Sequence, residues 1–299
     1  MKTFKILFMV TGILIFHGCR KDEPKVVVTA LPSLASILAD LTKNSTISVL
    51  NPVPENITLA EHDQYWDERS RAPDSLAKIV AAVVDIRSVI PEETLYLQMR
   101  ERNIKIIEID CATPFDRQIE AIPVISREDK INPYVWLSIS NVMKMAEIAA
   151  KDLSRLFPAD SSTILDNLKK LKRRYFSLKS DYESKFSTLE RFEAVTFDNS
   201  FDYLLSDINL FITHRFPSDE SEWTEEELIL FEKGVKQGEI HTVIHRWEPA
   251  GKIGRLCREN DVRTAILTTG DPKMNNYDNG LYGLLEKNLY ILSNTLSEK

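Results

Sequence analysis

Apolar residues recur at steps of three and four along the middle of the chain, from Ser161 to Glu190. They are Leu165, Leu168, Leu171, Tyr175, Leu178, Tyr182, Phe186 and Leu189. This spacing aligns them on one face of an α-helix, which begins just after Pro158. At ~1.5 Å per residue the helix would be roughly 45 Å long, enough to span a small domain. The pattern therefore predicts one long, stiff helix at the centre of the protein.

The segment before this helix alternates short apolar runs with amphipathic stretches. The runs predict strands over 25–29, 46–50, 82–86 and 104–109, and the stretches predict helices over 34–41, 74–81 and 91–102. A long polar loop is expected over 51–72. Alternation of strands and helices is typical of a parallel sheet with helices on its faces.

The segment after the helix repeats this plan. Strands are predicted over 193–197, 210–213, 240–244 and 264–267, with a helix opened by a capping box at 224–227 and a closing helix over 281–296. The sequence thus predicts an α/β fold of two lobes, each with a parallel four-stranded sheet flanked by helices, joined by one long rigid helix. The predicted boundaries are 25–157 for the N-terminal lobe, 158–191 for the linking helix and 192–299 for the C-terminal lobe.

Polar side chains follow the predicted strands of the second lobe. These strand ends carry Asp198, His214, His245 and Asp271. In open parallel sheets, ligands bind beyond the carboxyl ends of the strands. We therefore expect a binding site at this edge of the second lobe.

The N-terminus has the organisation of an export signal. Lys2 and Lys5 precede an apolar stretch over 6–16, which is too short to span a bilayer and ends at Gly18-Cys19. The pattern resembles a bacterial lipoprotein signal, with residues 1–18 as signal peptide, a lipid anchor on Cys19 and a charged tether over 19–24. The tether also resembles a surface-export tag. The alternative is a plain secretory signal with an incidental cysteine.

Composition and motifs exclude several classes of function. The net charge of −7 argues against nucleic-acid binding, which needs a basic face. No Gly-rich phosphate loop and no nucleophile–base pair can be recognised, so an enzyme is the least favoured interpretation. Cys111 and Cys257 are expected to be buried free thiols.

Three segments carry a resemblance to a known family. Asn132 to Leu137 looks like the motif Asn-Pro-His-Val-Trp-Leu, 195–203 looks like a His-Asp-Ala-Phe-Gly-Tyr strand end, and 72–76 looks like a Thr-Pro-Ser-Asp helix start. The chain resembles the zinc/manganese solute-binding lipoproteins of ABC transporters (cluster A-I). The resemblance implies a monomer that captures Zn, Mn or Fe as cargo between its lobes, without an organic cofactor. It also implies an inner-membrane ABC permease as partner and a position on the periplasmic side or the cell surface.

The resemblance implies a metal-ligand set that departs from the family pattern. By position the set is His62, Tyr134, Asp198 and Asp271, with Tyr134 in place of a family histidine. Zinc favours nitrogen and sulfur ligands, whereas manganese and iron suit oxygen ligands. This set therefore predicts weakened zinc affinity and a shift toward a harder ion. His214 and His245 are further candidates near the cleft.

Each candidate also has a structural explanation. Tyr134 can pack at the lobe junction, His62 can be a solvated loop residue, Asp198 can cap the next helix and Asp271 can stabilise a turn. An envelope lipoprotein that has lost metal binding and serves as a binding or scaffold module therefore remains an alternative to the metal carrier.

Overall fold

The computed structural model describes residues 25–68, 72–116, 119–127, 129–271 and 277–297. The predicted signal peptide, the lipidation site Cys19 and the tether lie outside the described residues. Within the described ranges the chain forms two parallel four-stranded sheets flanked by helices, which confirms the predicted fold class.

The first sheet is built from the segment before residue 111. Its strands are β1 (Val26–Val28), β2 (Ser48–Leu50), β3 (Val80–Asp85) and β4 (Ile107–Asp110), in the spatial order β2-β1-β3-β4 with all pairs parallel. The helices among them are α1 (Pro32–Thr42), α2 (His62–Glu68), α3 (Ala72–Leu76) and α4 (Leu95–Arg102). The sheet interior is apolar, as expected of strands covered on both faces.

A small hairpin and two long helices connect the sheets. They are β5 (Ser126–Arg127) and β6 (Lys130–Ile131), which pair antiparallel, followed by α5 (Ile139–Leu156) and α6 (Ser161–Phe186).

The second sheet repeats the parallel arrangement. Its strands are β7 (Glu193–Thr196), β8 (Phe211–Arg215), β9 (Thr242–His245) and β10 (Arg263–Ile266), in the order β10-β9-β7-β8. Its helices are α7 (Asp202–Asp207), α8 (Glu225–Lys236), α9 (Gly251–Glu259) and α10 (Leu281–Ser297). The predicted capping box is present at the start of α8, where Thr224 and Glu227 bond each other's backbone amides.

The central helix α6 has 26 residues and ends at Phe186, earlier than the predicted Glu190. Its predicted face is buried except at Leu165, which is exposed, and Leu189, which is half-buried beyond the end of the helix, while Ile164 is buried instead. The helix α5 packs along α6 and was not predicted. The two sheets are therefore joined through a pair of long helices, one of which is the predicted linking helix.

Three further elements of the first lobe differ from the prediction. The polar loop over 51–72 contains α2, which begins at His62, and the helix predicted from residue 91 begins only at Leu95. The residues predicted as helix over 74–81 divide between α3 and the start of β3, because β3 pairs with β1 from Val80. Sheet pairing outweighs local helical preference there.

The second lobe has its own aromatic core. Phe231 on α8 contacts Phe197, Phe216 and Trp223 edge-on, with ring centroids 5.4–5.5 Å apart. Phe216 and Trp223 stack at 4.7 Å. Such ring pairs stabilise the folded state by more than the burial of their apolar surface alone.

The two cysteines of the described part of the chain, Cys111 and Cys257, are both buried and free. Among the described residues, no helix combines the length and the apolar character needed to cross a membrane.

Candidate metal centre in the interlobe cleft

A cleft of about 820 Å³ lies between the two lobes. His62 and Glu93 line it from the first lobe, Tyr134 from the connecting segment, and Arg246 and Asp271 from the second lobe. Acidic residues outnumber basic ones on its walls. The acidic residues are Asp63, Glu92, Glu93, Asp129 and Asp271, and the basic ones are Lys130 and Arg246. This balance favours a cation over an anion as ligand.

His62 is held in one orientation by a buried carboxylate. Its Nδ1 lies 2.6 Å from Oε2 of Glu93, and both side chains are 2–3% exposed. The other oxygen of Glu93 accepts the Leu95 amide at 3.0 Å, which fixes the carboxylate in turn. Since a carboxylate accepts, Nδ1 carries a proton, and in the neutral imidazole Nε2 then keeps its lone pair. A histidine held through its other nitrogen is the usual arrangement of a metal-ligating imidazole.

Tyr134 lies at the junction of the lobes, half-buried and edge-on to Trp136 at 5.4 Å. Its amide donates to Oδ1 of Asn132, and the side-chain amide of Asn132 donates to the carbonyl of Asn199 in the second lobe. Burial raises the pKa of Tyr134 above its usual value, Asp271 raises it further, and Arg246 opposes the rise. The phenol is therefore neutral and binds a metal only weakly unless the ion displaces its proton.

Asp271 ends a short segment that is fixed from two sides. The indole of Trp136 donates to the carbonyl of Thr269 at 2.9 Å, and buried Asn288 bonds both the amide and the carbonyl of Thr268. Gly270 allows the turn with a φ of +79°. The Asp271 carboxylate thus points at the first lobe.

The Asp271 carboxylate accepts the Leu59 amide of the first lobe at 3.0 and 3.2 Å. Burial raises the pKa of Asp271, and the Leu59 amide, His62 and Arg246 oppose that rise.

Asp198 follows β7 and is 3% exposed. Its Oδ1 accepts the Ser200 amide at 2.8 Å and so caps the helical turn at Asn199–Phe201. Its Oδ2 accepts from Nε of Arg246, which makes an ion pair. Asp198 therefore combines the predicted capping role with a charge partner that faces the cleft.

The two further histidines do not line this cleft within the part of the chain that the structure describes. His214 is exposed and stacks on Phe216 at 6.2 Å. His245 is buried between Phe197 and Trp247, and burial lowers its pKa to about 4. Their positions fit packing roles in the second lobe.

The candidate ligands surround the cleft without converging on one point. Among the described residues, no group of three or more His, Cys, Asp or Glu side chains is close enough to hold a metal ion. His62, Tyr134 and Asp271 share the cleft, and Asp198 reaches it through Arg246.

A comparison with protein families identifies the chain. The family model of ZnuA, the periplasmic component A of a zinc-uptake complex, matches residues 28–289. The chain belongs to this family. The match extends over both lobes and the helices between them, so it includes every wall of the cleft.

Solved structures share the fold of this ZnuA-family chain. The manganese complex of the solute-binding protein FpvC from Pseudomonas aeruginosa has a TM-score of 0.67 and 18% identity, covering 92% of this chain and 98% of that one. A crystal structure of ZnuA has a TM-score of 0.66 and 19% identity, with the same coverage. A cadmium-bound periplasmic metal-binding protein from Candidatus Liberibacter asiaticus has a TM-score of 0.68 and 15% identity, covering 91% and 99%. No curated protein sequence matches the chain.

Sequence reasoning missed two residues of the site, Glu93 and Arg246. Glu93 falls within the helix predicted over 91–102 and was assigned no role at the site, although it is buried against His62. Arg246 directly follows His245 at a strand end, the position at which ligands are expected, and that was the available signal.

Glu93→Gln is expected to lower affinity for divalent metal by about 10- to 100-fold, the usual effect of losing the partner of a ligating histidine. The glutamine amide can donate to Nδ1, which would move the proton to Nε2 and remove the lone pair from the cleft. Calorimetric titration with zinc measures the change. Glu92→Gln is the matched control, because Glu92 is exposed and also lines the cleft. Equal affinities of the two variants would show that Glu93 does not orient a ligand.

Proposed function

We propose that the protein captures a transition metal ion between its lobes and delivers it to an ABC permease. The observation that carries this proposal is the buried Glu93–His62 pair in the wall of an acidic cleft, because a histidine that is held through Nδ1 can offer Nε2 to a metal ion. Relatives of the same fold are described as binding manganese, nickel or cadmium. The protein acts as a carrier, with no chemical step.

The proposed ligands are His62, Tyr134, Asp198 and Asp271. Three of the four offer oxygen, which suits manganese or iron better than zinc. Zinc is expected to bind more weakly than in a histidine-rich site. The ion that binds must draw the four groups together across the cleft.

We further propose that a lipid on Cys19 anchors the protein in the cell envelope. The Gly18-Cys19 junction after the apolar stretch supports this proposal. Mass spectrometry of the mature N-terminus is expected to find an acylated cysteine. An unmodified N-terminus would favour the plain secretory signal instead.

Equilibrium dialysis against zinc, manganese and iron tests the metal function on protein purified without chelators. We expect one ion per chain and a loss of binding in Asp271→Ala. Asp271 is a proposed ligand from the second lobe that also accepts an amide of the first lobe. Absence of binding for every ion, or nanomolar zinc affinity that Asp198→Ala leaves unchanged, would contradict the proposal.

A second candidate function is supported by the ion pair between Arg246 and Asp198. A guanidinium that permanently occupies a cation position would make the protein an envelope binding or scaffold module without metal. In that case the purified protein would carry no metal, and dialysis would show none bound.

A further inference from the structure

We propose that Arg246 is a resident counter-ion that the cargo must displace, so that this residue sets the affinity of the cleft for cations. The inference rests on the proposed function, because it takes a metal ion as the cargo. Arg246 comes from the second lobe, immediately after β9, and it lines the cleft together with Tyr134 and Asp271.

The aspartate of the pair is fixed, whereas the arginine is accessible. The Asp198 side chain is 3% exposed, and one of its oxygens is committed to the Ser200 amide. The Arg246 side chain is 38% exposed and lies near the ring of Trp247, with its guanidinium carbon 5.5 Å from the ring centroid. The accessible partner of the pair is thus the one that can leave without unfolding the turn around Asp198.

The guanidinium acts against a metal ion in two ways. It neutralises Asp198 by occupying Oδ2, the oxygen that the capping bond leaves available. It also adds a positive charge to a cleft in which a divalent ion would have to bind, and arginine does not lose that charge at any physiological pH. Two cations in one cleft repel each other more strongly than they would in water.

Loading is therefore an exchange of cations at Asp198. The ion takes Oδ2, and the Arg246 side chain turns toward solvent, where water replaces its partner. A cation is retained only if its gain from the carboxylate exceeds the loss of the ion pair. The apo protein avoids an unpaired buried carboxylate, which would otherwise be costly.

Zinc and manganese titrations of the full-length chain, purified without chelators, test this exchange by calorimetry. Arg246→Gln is expected to raise the affinity for both ions by about tenfold or more, because it removes the competing charge. Arg246→Lys keeps the charge and should stay near the unmodified protein. Arg215→Gln is the matched control, since Arg215 also pairs with a buried aspartate, Asp202, but does not line the cleft.

Thermal unfolding gives a second readout, which a purely structural arginine would not produce. The apo form of Arg246→Gln should melt at a lower temperature, because Asp198 is left without its ion pair. Saturating metal should then raise its melting temperature more than that of the unmodified protein.

A crystal structure of the unmodified protein with metal completes the test even if the variants fold poorly. Metal on Asp198 with Arg246 turned to solvent supports the exchange. An intact Arg246–Asp198 pair beside a bound ion, or an unchanged or lower metal affinity of Arg246→Gln, overturns the proposed exchange. Either result leaves the proposed metal-carrier function intact. If neither the protein nor Arg246→Gln binds an ion, the proposed function itself is overturned.

Discussion

Replacing His62 by alanine is expected to lower zinc affinity by at least about 100-fold. Loss of the residue that holds a ligating histidine in place already lowers metal affinity by about 10- to 100-fold, and here the ligand itself is removed. His62 is the only nitrogen donor among the four proposed ligands, and zinc depends on nitrogen more than manganese does. Manganese affinity should therefore fall less than zinc affinity. Competition with a chromophoric chelator measures both ions on the same preparation.

Two further variants separate loss of a ligand from loss of structure at position 62. His62→Gln keeps a donor for the buried Glu93 carboxylate but removes the imidazole, so it should bind zinc as poorly as His62→Ala while being more stable. His214→Ala removes an exposed histidine of the second lobe and should leave zinc affinity unchanged. Zinc binding that survives in both His62 variants would assign the nitrogen donor to another residue.

Phe231→Ala is expected to reduce the free energy of unfolding by about 3–5 kcal/mol, the usual cost of removing a buried phenylalanine ring. Phe231 is completely buried and lies against Phe197, Phe216 and Trp223, so its loss leaves a cavity that none of these rigid rings can fill. This is a large part of the roughly 5–15 kcal/mol that stabilises a typical protein.

Urea unfolding, followed by tryptophan fluorescence, measures this change, because Trp223 lies in contact with the deleted ring. Phe176→Ala is the matched control. Phe176 on α6 is 65% exposed, and its loss should change the free energy by no more than about 0.5 kcal/mol. A loss below about 1 kcal/mol for Phe231→Ala would mean that the second lobe repacks around the cavity.

The two sheets could be predicted from sequence because their central strands are continuous apolar runs bounded by polar turns. Val26–Val28 is such a run, and it pairs with two neighbours at the middle of the first sheet. The helix α6 was equally clear, since its apolar stripe persists over seven turns. The helix α5 was missed although its Ala146, Ala149 and Ala150 are buried. Its buried Ile139, Val142 and Met145 also recur at steps of three, so the helical signal was present in the sequence and was overlooked.

The candidate site could be predicted only in part. Strand-end position pointed to Asp198 and Asp271, and the Asn-Pro-Tyr segment pointed to Tyr134, because these depend on local order along the chain. The Glu93–His62 pair joins residues 31 positions apart, and the Arg246–Asp198 pair joins residues 48 apart. Such pairings depend on the spatial order of the elements within each lobe. The spacing of residues along a single sequence does not give that order.

The hydrogen bond from Leu59 to Asp271 gives the cleft a contact that is protected from most mutations. Its donor is a peptide N–H, so every residue type except proline can supply it. A substitution of Leu59 therefore leaves this donor in place, even though the Leu59 side chain itself packs against the core and lines the cleft. Of the two partners, only Asp271 contributes its side chain to the hydrogen bond between the lobes.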